Sequence, residues 1–393
     1  MNILLLTAHF PSYDHPNKTY ATPFLFDYAL EWQKKGHKVF IVHYARKYPV
    51  LFRMLSKLLS FFGDKRFAKF DVEIDAIKSN EYCFENIKIF RKMFTKYIPH
   101  KKSLASTIRR LKKYTLNVLN KEIGNADVII GDCLDPVLQI MKSFNSCGCK
   151  KSIIIHNSDI RMIENKSYNI NDFAFVDYLL LRSIKQKQDL EKYNLKNEFK
   201  YMFSGVSKEQ INSNPIFKTK IENLLYVGAL YKSKGLLTII EALRLTKNDK
   251  LKLTVVGDGL DRCFFEETIK KCNLMNKVTF VGKVEHNLVF EYMKNADALT
   301  LISKETFGMV YVEAMSQACI PIGAKHQGID GVVLNEKNGF LTELGNETEL
   351  AHLFDKFLLM DETTICNISK SAYRTSLTLE NGYLSQQLLK EID

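Results

Sequence analysis

The sequence predicts an α/β protein of two successive units, each a parallel sheet flanked by helices, and three observations carry that expectation. Its 393 residues exceed what one hydrophobic core ordinarily serves, so two domains are the default. Short apolar runs recur along the chain with helical stretches between them, the pattern of strands buried on both faces. Several of these runs end in glycine, which suits tight turns at the carboxyl edge of a sheet, where open α/β folds bind ligands.

Taken in order, MNILLLTAHF reads as a first buried strand. No basic region precedes it, and His9, Pro11 and Asp14 end it too soon for a signal peptide. Phe24 to Lys35 follows as a helix and HKVFIVHY as a second strand. After a basic insertion, ADVIIGD, KSIIIHNSD and DYLLLRS continue the alternation. A crossover near FKYMFSGVS leads to the second unit, whose strands are NLLYVGAL, LKLTVVGDG, KVTFVGK, ADALTLIS and CIPIGA. The expected division is 1–205, 206–372, and a last segment 373–393.

Composition narrows the function classes. An apolar content of 46% with 25% charged residues belongs to an ordinary soluble globular protein. No apolar run approaches about 18 residues, so no spanning helix is expected. The eight cysteines are scattered; Cys147 and Cys149 alone are close, and a lone C-x-C without a partner pair is too little for zinc. Reduced, mostly buried thiols and a cytosolic location are expected.

The net charge of +12 sits in one place. Residues 46–121 hold nineteen Lys or Arg against six Asp or Glu, and the remainder is nearly balanced. Within this segment VLFRMLSKLLSFF places Arg53, Ser56, Lys57 and Ser60 on one polar stripe, with apolar residues elsewhere. Such a helix is either buried with one wet edge or dipped into a membrane interface, its cations and the following Lys65, Arg66 and Lys69 toward anionic headgroups. From Lys96 to Lys113 a second basic tract carries the apolar line Leu104, Ile108, Leu111, Thr115 and Leu119, so its cations form a solvated face. That surface suits a phosphate-bearing acceptor or an acidic bilayer; no nucleic-acid-binding motif accompanies it, and no nucleic acid is expected.

The residues that speak most directly to chemistry are in SKETFGMVYVEAMSQACIPI. Glu305 precedes a Thr306-Phe307-Gly308 turn, and a short buried helix is expected from about Gly308 to Ala318, with Pro321 beyond it. A helix start offers amides and partial positive charge, so the amides of Phe307, Gly308 and Met309 suit a diphosphate. Eight helical steps bring Glu313 back to roughly the side that Glu305 faces, which lets both carboxylates accept from sugar hydroxyls. An N-cap region followed by an acidic helix residue is the plain alternative for the pair alone.

The longer string E-x-F-G-x-x-x-x-E-A-x resembles the signature of the GT-B retaining glycosyltransferases of family 4, the glycosyl transferases group 1. LLYVGALYKSKGLLTIIEAL, LTVVGDG and VTFVGKVEHNLVFEYMKNADALTLIS resemble the same family in order and spacing from Leu224 to Leu341. The resemblance implies two Rossmann-like domains with parallel sheets facing across a cleft, and a last segment crossing back to the first domain. It implies a hexosyltransferase-class enzyme acting with retention on a nucleotide-sugar donor, most commonly a UDP-sugar. By the same resemblance Glu313 binds the ribose, Glu305 the transferred sugar and Lys234 the diphosphate, with Gly228, Gly257, Val284, Thr306, Phe307, Gly308 and Met309 around the donor. In IIIHNSDI, His156 and Asp159 resemble the family's HG-x-D site, His156 toward the donor sugar and Asp159 toward the acceptor. Thr22, in TPFLFDYALEWQKKGHKVFIV, stands where the family's opening loop meets the acceptor.

Three departures go with it. Ala229 stands where the family usually has Arg, so a guanidinium opposing leaving-group charge is missing and Lys232 is the cation at hand. Asn157 replaces a Gly, and Thr22, Pro23 and Phe24 replace a Gly-rich turn. Lysine and helix amides can do the neutralising, so neither a metal nor a cofactor is expected. The acceptor is expected to be a saccharide or lipid-linked molecule of bacterial surface polysaccharide or glycolipid synthesis. The enzyme would then be cytoplasmic or peripheral on the inner face of the cell membrane. A nucleotide-sugar epimerase or hydrolase of the same fold, or an inactive nucleotide-sugar-binding protein docked on a membrane, is the competing expectation.

Overall fold

The computed structural model describes residues 1–8, 23–47, 49–51, 54–55, 58, 81–95, 102–144 and 148–393. Two compact units emerge: Met1–Leu181 with Lys187–Met202 and Ser385–Asp393, and Arg182–Gln186 with Phe203–Leu384. Of the segment 373–393, residues 385–393 thus belong to the first unit and the rest to the second.

The first unit is built on an eight-stranded sheet. Its strands are β1 (Asn2–Thr7), β2 (Lys38–Lys47), β3 (Glu81–Phe84), β4 (Ile87–Thr95), β5 (Val128–Asp132), β6 (Lys150–Ile155), β7 (Tyr178–Leu181) and β8 (Glu198–Tyr201), in the order β3-β4-β2-β1-β5-β6-β7-β8. All pairings are parallel except β3 with β4. The central strands are largely apolar and buried, as in β1, where Ile3, Leu4, Leu5 and Leu6 are fully enclosed. Helix α1 (Pro23–Lys34) carries Trp32 into this interior, where its indole N–H donates to the Ser385 carbonyl at 2.9 Å.

The basic segment 46–121, expected as an insertion, is in part a piece of this sheet. Strand β4 pairs with β2 from Phe40↔Lys88 to Lys47↔Thr95, and Glu85 and Asn86, both at positive φ, close a two-residue hairpin from β3. In α2 (Ala105–Val118), Ile108, Leu111 and Thr115 are buried while Arg109, Arg110 and Lys113 face water, as the helical spacing predicts. Leu104, expected to continue that apolar line, is 54% exposed because the chain is extended there, ahead of the first helical turn. Arg53, Ser56, Lys57, Ser60, Lys65, Arg66, Lys69, Lys96 and Thr22 lie outside the described residues.

The second unit holds six parallel strands: β9 (Asn223–Val227), β10 (Lys252–Val256), β11 (Val278–Gly282), β12 (Ala298–Thr300), β13 (Ile320–Ala324) and β14 (Phe340–Thr342). Their order is β11-β10-β9-β12-β13-β14. Leu224, Leu225, Val255, Leu299, Ile320 and Ile322 fill its core with side chains from the covering helices. Strand order reverses direction at β9, with β10 on one side and β12 on the other. This is a switch point, the kind of place beside which open α/β sheets bind ligands.

Candidate functional site

The loops after β9 and β12 carry the second unit's charged cluster. After β9 the chain makes a short turn, Lys232–Lys234, and starts α6 (Leu236–Leu245) at Gly235. Gly235 has φ 76° and touches the backbone of Ile302 so closely that an added Cβ would land on the Ile302 carbonyl. This approach sets Lys234 beside the residues that follow β12. Lys234 Nζ donates to Glu305 Oε1 at 2.7 Å, and the buried Ser303 hydroxyl donates to the same oxygen at 2.8 Å.

Glu305 leads into a turn that ends at α9. The helix runs Met309–Ser316, shorter than the expected 308–318, with Gly308 as N-cap at φ 91°. A Cβ on Gly308 would meet the Tyr311 ring at 2.6 Å. Tyr311 is itself fixed by its hydroxyl bond to the Leu301 carbonyl, so the turn and the helix are clamped to the end of β12. Phe307 is buried and stacks on Phe203, ring centroids 5.3 Å apart. Its side chain therefore anchors the turn, while Thr306 and the Phe307 backbone lie against Gly328.

Glu313, buried within α9, receives His286 Nε2 at 3.1 Å on Oε1. His286 is the first residue of α8 (His286–Asn295), two residues after Val284, and its side chain is 63% exposed. The bond to Glu313 raises the imidazole pKa above its ordinary 6.5, with burial opposing. Lys234 and Glu305 are thus brought together, whereas Glu313 is held by His286.

Gly228 and Gly257 stand at neighbouring strand ends; Gly228 N–H donates to the Val256 carbonyl and Gly257 N–H to that of Gly282. The Ala229 carbonyl accepts from the Tyr226 hydroxyl at 3.0 Å, and Lys232 places its ammonium 4.1 Å over the Phe264 ring.

In the first unit His156 ends the β6 run. Its Nε2 is 2.6 Å from Asp132 Oδ1, and the other oxygen of that buried carboxylate accepts from the Thr7 hydroxyl at 2.7 Å. Three strand ends, β1, β5 and β6, meet in this group. Asp132, Cys133 and His156 place ligand-type atoms within 4.8 Å of one another. Hydrogen bonds already engage both Asp132 oxygens, and burial with the nearby Asp132 and Asp159 pushes the Cys133 thiol well up, which holds it protonated. The arrangement is a hydrogen-bonded Asp–His pair.

Asp159 is buried, and its two oxygens accept from the His156 and Leu134 backbone amides at 2.9 and 3.2 Å. The carboxylate turns back onto the start of α4 (Asn157–Glu164) and fixes the His156 backbone. Sequence reasoning missed Asp132, Thr7, Ser303 and His286. A carboxylate at the end of an all-apolar strand, as in ADVIIGD, was the available signal for the first.

The comparisons agree with this fold. Residues 207–374, within the second unit, match the family described as Glycosyl transferases group 1. The chain is 30% identical over 151 residues to N-acetyl-alpha-D-glucosaminyl L-malate synthase of Bacillus anthracis, covering 38% of this chain and 39% of that protein. It is 26% identical over 284 residues to an uncharacterized glycosyltransferase of Methanocaldococcus jannaschii, covering 70% and 76%. The first match thus spans well under half of that relative's length. The crystal structure of Anabaena HepE in complex with UDP superposes with a TM-score of 0.66 at 17% identity, covering 100% of this chain and 99% of that one. The architecture is GT-B.

Proposed function

We propose that the protein is a retaining glycosyltransferase of family 4. It moves a sugar from a nucleotide-diphosphate donor, a UDP-sugar, to a saccharide or lipid-linked acceptor of surface polysaccharide or glycolipid synthesis. The observation that carries this reading is the Lys234–Glu305 pair, 2.7 Å apart, at the carboxyl edge of the second sheet beside the start of α9. Lys234 and the first amides of α9 oppose the charge that grows on the departing diphosphate. Glu305 accepts from the transferred sugar, Glu313 from the ribose, and His156, oriented by Asp132, from or to a sugar hydroxyl. Departing phosphate takes the proton of the incoming acceptor hydroxyl, so positioning and electrostatics do the work and no metal is needed. The UDP in the related HepE crystal structure supports the choice of nucleotide.

A thermal-shift screen of nucleoside diphosphates and their sugars tests it, because a ligand of the folded state raises the melting temperature. UDP and a UDP-sugar are expected to raise it, and incubation with acceptor sugars to give a product of unchanged anomeric configuration by NMR. Stabilisation by no nucleotide removes the reading.

His286 gives a second expected result. Its raised pKa means that the His286–Glu313 bond is complete at low pH and weakens as pH rises through that value. Ribose hydroxyls compete for the same carboxylate. Calorimetric UDP affinity should therefore increase severalfold from about pH 6 to pH 8, and the rise should vanish in His286→Asn.

A further inference from the structure

Between β2 and β3 the described residues Val50, Leu51, Met54, Leu55 and Leu58 are helical, and all five are exposed, Leu51 by 77%. Their spacing puts them on one face of a helix. The expectation of a buried helix fails for these residues, and an apolar face of this kind left open to water marks an interaction surface.

A second exposed leucine lies near it. Strand β2 ends at Lys47, three residues before Val50, and Arg46 donates to the Asp135 carbonyl at 3.3 Å. The Asp135 carboxylate in turn accepts from the Ser103 amide and hydroxyl, at 2.7 and 2.8 Å. Leu104 follows at once, and from it α2 carries Arg109, Arg110 and Lys113 on its water side. One region of the first unit therefore joins open leucines to open cations.

We propose that this surface docks the protein onto an anionic lipid bilayer, with Val50, Leu51, Met54, Leu55 and Leu58 among the acyl chains and the α2 cations against headgroups. Charge selects the occupant. The segment 46–121 holds nineteen Lys or Arg against six acidic residues, and a bilayer bearing anionic lipid offers apolar depth and negative charge together. A second copy of this chain would set the same cations against one another. Among the described residues no helix is long and apolar enough to cross a membrane, so the attachment is to the surface and reversible. It is independent of what the second unit transfers.

Flotation of the full chain with vesicles tests it. With equal parts phosphatidylglycerol and phosphatidylcholine the protein should float at low salt and detach at high salt; with phosphatidylcholine alone it should stay in solution. Leu51→Glu with Leu55→Glu should lower partition roughly a hundredfold. Its melting temperature should be unchanged, because both side chains already face water. Absence from the anionic vesicles, or equal flotation of the double variant, overturns the proposal. So does a concentration-dependent dimer in sedimentation without lipid that the double variant abolishes, which would make the occupant a second copy.

Discussion

Replacing Glu305 with Gln, or Lys234 with Ala, is expected to lower the rate of sugar transfer at least about a hundredfold, the loss that follows removal of one transition-state partner. The two changes have little to cost the fold. Lys234 and Glu305 keep 35% and 21% of their side-chain surfaces open, and a pair this exposed contributes about 0–1 kcal/mol. Gln at 305 also retains an oxygen for the Ser303 hydroxyl. Melting temperature and transfer rate should therefore separate: the first nearly unchanged, the second almost lost. Near-normal turnover in either variant would reduce the pair to a surface ion bridge and take the proposed donor site with it.

The second large effect is expected at Gly235. Alanine there must hold φ 76°, at about 1–2 kcal/mol, and must also push its Cβ away from the Ile302 carbonyl, which is backbone and cannot swing aside. Together these should destabilise the second unit by about 3 kcal/mol or more, a drop of some 6 °C or more for a domain of this size. The displacement also moves Lys234, the preceding residue, off Glu305, so transfer should fall below what lost stability explains. Gly345→Ala is the control. Its φ is 75°, but nothing lies within 4 Å of the added carbon, and it should cost only the conformational part. Equal melting temperatures for the two variants, measured by calorimetry, would mean that the contact with Ile302 carries no weight.

Most of the frame was legible because the central strands are buried and carry runs of apolar residues. Strand β4 was not, because Lys88, Arg91 and Lys92 interrupt its apolar residues, and in a strand near the sheet's edge the pleat can turn such side chains out or bury one. Arg91 is the buried one, 4.4 Å over the Tyr82 ring. Motif order singled out Lys234 and Glu305 without pairing them, and nothing in it pointed to the pairing of Asp132 with His156. Twenty-four residues separate them, and only the register of β5 on β6, which sets Asp132 opposite Ile154, brings the ring within reach. Local sequence carries no trace of that register. His286 was missed for a related reason: α8 and α9 meet through tertiary packing that no periodicity encodes. At Asp159 sequence alone does not separate the two roles, because a carboxylate three residues into a helix serves its own backbone as readily as a ligand.

Trp32 and Ser385 have a bearing on how the molecule is made. The indole N–H is wholly enclosed, and its acceptor comes from the last nine residues of the chain. On the ribosome, an amino-terminal domain can ordinarily finish before its successor emerges. Here the earliest-synthesised half must wait for residue 385, with a buried donor unsatisfied until the helix that carries Ser385 is released. A nascent chain arrested before Ser385 should leave its amino-terminal half open to protease while the later half already resists digestion.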